Sequence, residues 1–181
     1  FAHDDGVQFT HVPLTDDSEV FEDIGASSYD VIVLYNLTQK ISEHRQRNFL
    51  RLLDSGVGVL SLHHASASYQ KWDEFRKIIG CRYVLPTRDE SGQSHEVSTY
   101  RHDMIIPVHI LDSTHAVTRG LTDFVVEDET YKNCEFEPDN RVLLSTTEPS
   151  SDRPLGWVRT YRQSNVCHLQ LGHGPGIFSN E

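Results

Sequence analysis

Through the first eighty residues, short apolar runs alternate with amphipathic stretches; after that the chain is a succession of strand-like runs alone. "YDVIVLYN" (29–36) is an apolar run of strand length bounded by polar residues, the pattern of a buried strand. "SEHRQRNFLRLLD" (42–54) carries Phe49, Leu50, Leu52 and Leu53, with Ser42 placed as a cap, an acidic first turn and Gly56 beyond the end, which predicts a helix. A second buried strand follows in "GVGVLSL" (56–62). Ser68 is then placed to cap a second helix, in which Trp72, Phe75 and Ile79 fall at i, i+3 and i+7 and Gly80 ends the run. Strand, helix, strand, helix predicts a parallel sheet with right-handed crossovers. Residues 7–12 also alternate like a strand.

After Cys81 the runs "EVSTYR", "IIPVHIL", "FVVEDETY", "RVLLSTT", "LGWVRTY" and "NVCHLQLG" are separated by short polar turns, so the second half is expected to be strand-rich, with antiparallel pairs beside the parallel core. No internal repeat or low-complexity linker divides the chain. One α/β domain over residues 1–181 is expected, with both ends looking cut inside a fold.

Composition narrows the function classes. A chain of 181 residues, 37% hydrophobic and 9% aromatic, can build one sizeable core. The net charge of −11, from 16 basic and 27 acidic residues, leaves no basic stripe to displace counterions from a nucleic acid, and a neutral or polar small molecule suits it better. Cys81, Cys134 and Cys167 lack CxxC spacing, which argues against a zinc knuckle or a disulfide framework and for buried small hydrophobes. No apolar run approaches the roughly 18 residues of a membrane span, and no signal peptide opens the chain. A soluble protein is expected, its compartment (cytoplasmic, periplasmic or secreted) left open. No GxGxxG follows a strand, so no nucleotide cofactor is indicated.

The candidate chemistry sits where strands end. "SLHHAS" (61–66) occupies the strand-to-helix junction at which α/β folds place their ligand sites. There His63 is suited to act as a base or metal ligand, and His64 should point elsewhere. "LQLGHGPG" (169–176) delivers His173 from an apolar strand into a glycine-rich loop. In "VVEDETYKN" (125–133), Glu127 and Glu129 share one face of an extended strand, and Glu129 is the candidate acid, base or carboxylate ligand. His115, in the turn "DSTHAVTRGL", reads first as a residue that ties down its own loop. Arg159 and Tyr161 are candidates to hold substrate hydroxyls or carboxylates.

In order, "GVGVLSLHHAS…WDEFRKIIG", "THAVTRGLTDFVVEDETY" and "PLGWVRTY…VCHLQLGH" resemble the trehalose-utilization (ThuA-like) family, from about Tyr29 to His173. The family's Leu-His-x-Ala elbow is matched by Leu62, His63, His64 and Ala65. Its His-Pro-Ile-Thr-x-Gly-Leu segment is matched by His115 to Leu121, with Ala116 in place of proline. Asp128, Glu129, Thr130 and Tyr131 match its Asp-Glu-x-Tyr, and Leu171, Gly172 and His173 its closing Leu-Gly-His. The resemblance implies a flavodoxin-like fold, similar to the class I glutamine amidotransferase domains, with a central parallel sheet flanked by helices. Family members open with a strand and a Gly- and His-bearing loop and close with a helix, and the resemblance implies that this sequence begins after the first two and stops before the last. His63 stands where an amidotransferase carries its cysteine, which excludes that covalent chemistry here.

What the resemblance implies for function is bacterial sugar catabolism: acid/base chemistry on a disaccharide, glycoside or keto-sugar, with His63, Glu129 and His173 around one pocket. Two imidazoles and a carboxylate are also the ligand set of many hydrolytic zinc sites, so a divalent metal such as zinc is the cofactor to test for. Tyr131, Trp157, Arg159 and His115 are the expected substrate-binding residues. A small-molecule sugar is the expected partner, with no nucleic acid or membrane, and a homo-oligomer is left open. Two alternatives stand beside the enzyme: a non-catalytic sugar-binding domain whose Trp157, Tyr161 and Tyr131 stack on sugar faces, and an oxidoreductase component.

Overall fold

The amphipathic stretch at 42–54 folds as a helix, although Ser42 makes no side-chain capping bond at its start. In the computed structural model, which describes residues 6–13, 16–23, 29–86 and 97–179, it forms helix α1 (Glu43–Asp54). Glu43 in the first turn and Arg51 in the last complement the helix dipole. Phe49, Leu52 and Leu53 are buried, each contributing roughly 1.5–3 kcal/mol. This helix is the crossover between β1 (Val31–Leu34) and β2 (Gly58–Leu62), which pair in parallel. Strand β1 is an edge strand rather than the buried strand its composition suggests. Its period of two turns Ile32 and Leu34 inward and leaves Val31 and Val33 exposed.

Beyond β2 a single turn of 3-10 helix (His63–Ala67) precedes helix α2 (Asp73–Ile79), so the second helix begins later than the sequence predicts. Ser68 does not cap it. The Ser68 N–H closes the 3-10 turn on Ala65, and its hydroxyl donates to the Asn36 carbonyl at 3.2 Å, tying the exit of β1 to the 3-10 turn that follows β2. Gly80 ends α2 at φ +89, and here glycine is needed. A Cβ would lie 2.2 Å from Asn140 Oδ1 and 2.6 Å from Trp157 Nε1.

Seven further strands follow: β3 (Cys81–Arg82), β4 (Thr99–Ile110), β5 (Phe124–Lys132), β6 (Glu135–Phe136), β7 (Arg141–Thr146), β8 (Pro154–Tyr161) and β9 (Ser164–Leu169). The main sheet has the order β1-β2-β9-β8-β7-β4-β5, and β3 and β6 form a separate antiparallel pair. "EVSTYR" and "IIPVHIL" are one strand, β4, interrupted by a bulge.

The expected flavodoxin-like parallel sheet is not what forms. The pairs β1-β2 and β2-β9 are parallel, and the remaining four pairs are antiparallel. The connections explain this. A parallel neighbour needs a crossover of a dozen or more residues, whereas β8 and β9 are joined by Arg162 and Gln163 alone, which can only reverse the chain. The expected strand at 7–12 belongs to neither sheet, and Val7, Phe9 and Val12 are exposed.

Among the described residues the architecture is α/β, with two α-helices against a strand-rich mixed sheet. One apolar cluster joins α1 and α2 to β2, β8 and β9 through Phe49, Leu53, Val59, Ile78, Trp157 and Val166. A second, around Ile106, Val108, Val126, Leu144 and Leu155, holds β4, β5, β7 and β8 together. The three cysteines are free; Cys81 is buried and the other two are partly so. No helix among the described residues is long and apolar enough to cross a membrane.

Candidate functional site

Leu62 leaves β2 in extended conformation, and His63 turns at once into the left-handed region at φ 46. Such a conformation in a non-glycine residue is held by its surroundings. Here the hold is visible: His63 is fully buried and its Nδ1–H donates to the carbonyl of Gln170 at 2.6 Å, just past the end of β9. That bond places a proton on Nδ1 and turns Nε2 toward the groups opposite, the arrangement that fixes the tautomer of metal-binding imidazoles.

Three groups meet Nε2. Glu129 Oε2 lies at 3.0 Å, the Tyr131 hydroxyl at 3.0 Å and His173 Nδ1 at 3.3 Å. Glu129 Oε2 is also 3.3 Å from His173 Nδ1. The three donor atoms of His63, Glu129 and His173 therefore form a nearly equilateral triangle with edges of 3.0, 3.3 and 3.3 Å. Ligand bonds of about 2.0–2.1 Å in a tetrahedron separate donors by about 3.3 Å, so one face of a zinc-like coordination shell fits this set. A neutral His63 would set the Nε2 lone pair against those of Glu129 Oε2. A cation between them, a proton or a metal ion, makes the approach favourable.

Glu129 and Tyr131 share one face of β5. Burial pushes the Glu129 carboxyl up, but hydrogen bonds from His63 and Tyr131 outweigh it and hold the group below its ordinary value, so it stays ionised at neutral pH. Burial, with the Glu129 charge beside it, pushes the Tyr131 phenol well up, leaving it a neutral donor.

His173 is delivered by the chain leaving β9, and its side chain is half-exposed. The loop is held from two sides. Gly172, at φ +133, where only glycine sits comfortably, donates its N–H to Asp128 Oδ2 at 2.6 Å, and the His173 N–H donates to Asp128 Oδ1 at 3.0 Å. From the residue just past β1, the Tyr35 hydroxyl donates to the Gly172 carbonyl at 2.7 Å. Asp128→Asn turns one acceptor into a donor facing a backbone N–H. It is expected to lower stability by about 1–3 kcal/mol in urea unfolding, and an unchanged midpoint would show that the clamp is dispensable.

Beside this cluster lies a cleft of about 350 Å³ lined by Asp103, Glu127, Asp128, Glu129, His173 and Ile177. Its described lining contains no lysine or arginine. His102, which no sequence pattern marks, brings Nδ1 to 3.2 Å from Glu129 Oε1.

The other candidates lie elsewhere. Trp157 is buried beneath α2, donating its indole N–H to the Ile79 carbonyl at 2.9 Å and stacking on His168. Arg159 is nearly buried and pairs with Asp139 at 3.0 Å and Asn140 at 2.9 Å. Tyr161 donates to Glu74 of α2. His115 ties down its own loop: its N–H donates to Asp112, and its Nδ1 accepts the Val117 N–H at 3.2 Å. His115 and Arg159 line a separate open hollow of about 960 Å³ over β1, β2, β8 and β9. His64 turns toward Asn36 and packs on the Tyr35 ring at 4.5 Å; its burial, with the His63 charge, lowers its proton affinity.

The fold and sequence place this chain among known proteins. A protein described as ThuA-like from Parabacteroides merdae superposes with a TM-score of 0.72 at 20% identity, covering 92% of this chain and 68% of that one. A second, from Bacteroides uniformis, gives 0.60 at 21% identity, with 86% and 64% covered. A fifth of the chain of a β-galactosidase from Bacillus circulans also superposes on 80% of this one, with a TM-score of 0.52 and 10% identity. At these identities the likeness is one of fold, and the chain spans roughly two thirds of the ThuA-like relatives. No match was found among curated protein sequences. The ThuA family profile, described as trehalose utilisation, matches residues 2–181, and the chain belongs to that family.

Proposed function

We propose that this chain carries out metal-assisted acid/base chemistry on a neutral sugar, a disaccharide, glycoside or keto-sugar, in a role connected with trehalose utilisation. The observation that carries the reading is the donor triangle of His63, Glu129 and His173. A divalent ion held there would supply Lewis acidity toward a sugar oxygen. The protein's own groups divide the remaining work. The Gln170 carbonyl keeps His63 Nε2 aimed at the centre, the Tyr131 hydroxyl is a neutral donor toward Glu129, and half-exposed His173 borders the cleft.

The carboxylates of Asp103, Glu127, Asp128 and Glu129 around the cleft disfavour a phosphorylated sugar and suit the hydroxyls of an uncharged one. The alternative of sugar binding without turnover through stacking on Trp157 draws no support from that residue, which is buried.

Elemental analysis of protein purified without chelator is expected to show close to one zinc-like divalent metal per chain, with hydrolysis or elimination of keto-sugars lost on chelation and restored by metal. A metal-free protein that still turns over these sugars would replace this reading with acid/base catalysis by His63 and Glu129 alone.

A further inference from the structure

We infer that His102 is a positioning residue for the Glu129 carboxylate, carried to it by a β-bulge. The inference rests on the metal reading of the donor triangle and adds the part that aims it. Along the β4-β5 ladder Arg101 faces Thr130 and Met104 faces Asp128, so two residues of β4, His102 and Asp103, stand opposite the single residue Glu129. Asp103 takes a left-handed φ of 56 to accommodate the extra residue. Bulges re-aim side chains, and this one brings the His102 imidazole onto Glu129 and Asp103 to the lining of the cleft.

The geometry gives His102 one task. His102 Nδ1 lies 3.2 Å from Oε1, and because a carboxylate oxygen only accepts, attraction between the two requires the proton on Nδ1. A contact on Oε1 favours the carboxylate orientation that keeps Oε2 at 3.0 Å from His63 and 3.3 Å from His173. The His102 ring also packs 4.6 Å from that of His173, so the same side chain braces two corners of the triangle. His102 faces Glu129 and stands outside the group of donor atoms that could share one ion, which makes it a partner of a ligand and not a fourth ligand.

The test compares Co²⁺ binding, read by visible absorption, in the full parent chain, His102→Phe and His102→Asn, with thermal melting of each as a control on folding. Phenylalanine keeps the ring contacts and removes the N–H; asparagine keeps an N–H close to the position of Nδ1. His102→Phe is expected to bind Co²⁺ roughly 10–100-fold more weakly while its saturated spectrum stays that of the parent, and His102→Asn to recover most of the affinity. Parent-like affinity in His102→Phe would overturn the inference, as would a saturated spectrum showing a changed coordination number, which would make His102 a ligand. Failure of a folded His102→Asn to recover affinity would also overturn it. A parent that binds no Co²⁺ would overturn the metal reading itself, and this inference with it.

Discussion

His63→Ala is expected to abolish stoichiometric metal binding and, with it, any metal-dependent turnover of sugars. Removing the imidazole takes away the one corner of the triangle that is fully buried, leaving Glu129 and His173 as two donors 3.3 Å apart. Two donors do not hold a zinc-like ion at micromolar concentrations, so the loss should exceed the roughly 10–100-fold typical of a partner one step removed from the metal. The substitution also leaves the Gln170 carbonyl without its donor and asks alanine to hold φ 46. A loss of about 1–3 kcal/mol in urea unfolding should therefore accompany it. Metal titration of folded His63→Gln, which keeps volume and a hydrogen-bonding group, separates the two effects. Retention of a full metal equivalent by folded His63→Ala would show that the ion binds elsewhere.

How far the sequence discloses this centre depends on the range of the interactions that build it. His63 is legible because its cue is local: an apolar strand ends and a turn begins, and the residue at that junction is placed by the strand itself. His173 is legible for the same reason at the end of β9. Glu129 was one of several acids in "VVEDET", and what singles it out is its face on β5, shared with Tyr131. His102 was not legible at all. It looks like one more polar residue of an alternating strand, and its role comes from a register shift between β4 and β5 that no local pattern encodes. Asp128 hides in the same way, since its partners are backbone N–H groups 44 and 45 residues away.

The fold divides similarly. Helix α1 and strands β1 and β2 follow from periodicity, because helices and the strands flanking them are fixed by near neighbours. The direction of pairing in the second half is not written in apolar runs. It is set by connection length, and two-residue and other short links force β7, β8 and β9 to run back and forth where a doubly wound sheet would need helices. The consequence reaches the site. With β9 parallel to β2, the carboxyl ends of both strands lie side by side, so Gln170 and His173 meet His63 across one boundary. Antiparallel β5 brings Glu129 and Tyr131 to the same place from the other half of the sheet.

Trp157→Ala is the second large effect expected, and it falls on stability while leaving metal affinity unchanged. The indole is buried between the sheet and the end of α2. It stacks on His168 with ring centres 4.4 Å apart, meets Phe136 edge-on at 5.6 Å and donates to the Ile79 carbonyl. Replacing it should destabilise the protein by about 3–5 kcal/mol in urea unfolding. A loss below about 1 kcal/mol would mean the ring is not the core residue its burial indicates. A second readout comes from His168. Burial, with the charge of His63, depresses its pKa to about 3 from an ordinary value near 6.5. The unfolded chain therefore takes up a proton before the folded one does. The stability due to keeping His168 neutral is fully present above about pH 6.5 and is lost progressively as the pH falls toward 3. The cavity left by Trp157→Ala admits water to His168, relieves its desolvation and lets it titrate closer to 6.5 in the folded state. The stability gap between parent and variant should then narrow as the pH falls from about 7 to about 4, and a gap that stays constant would show that water does not reach His168 through that opening.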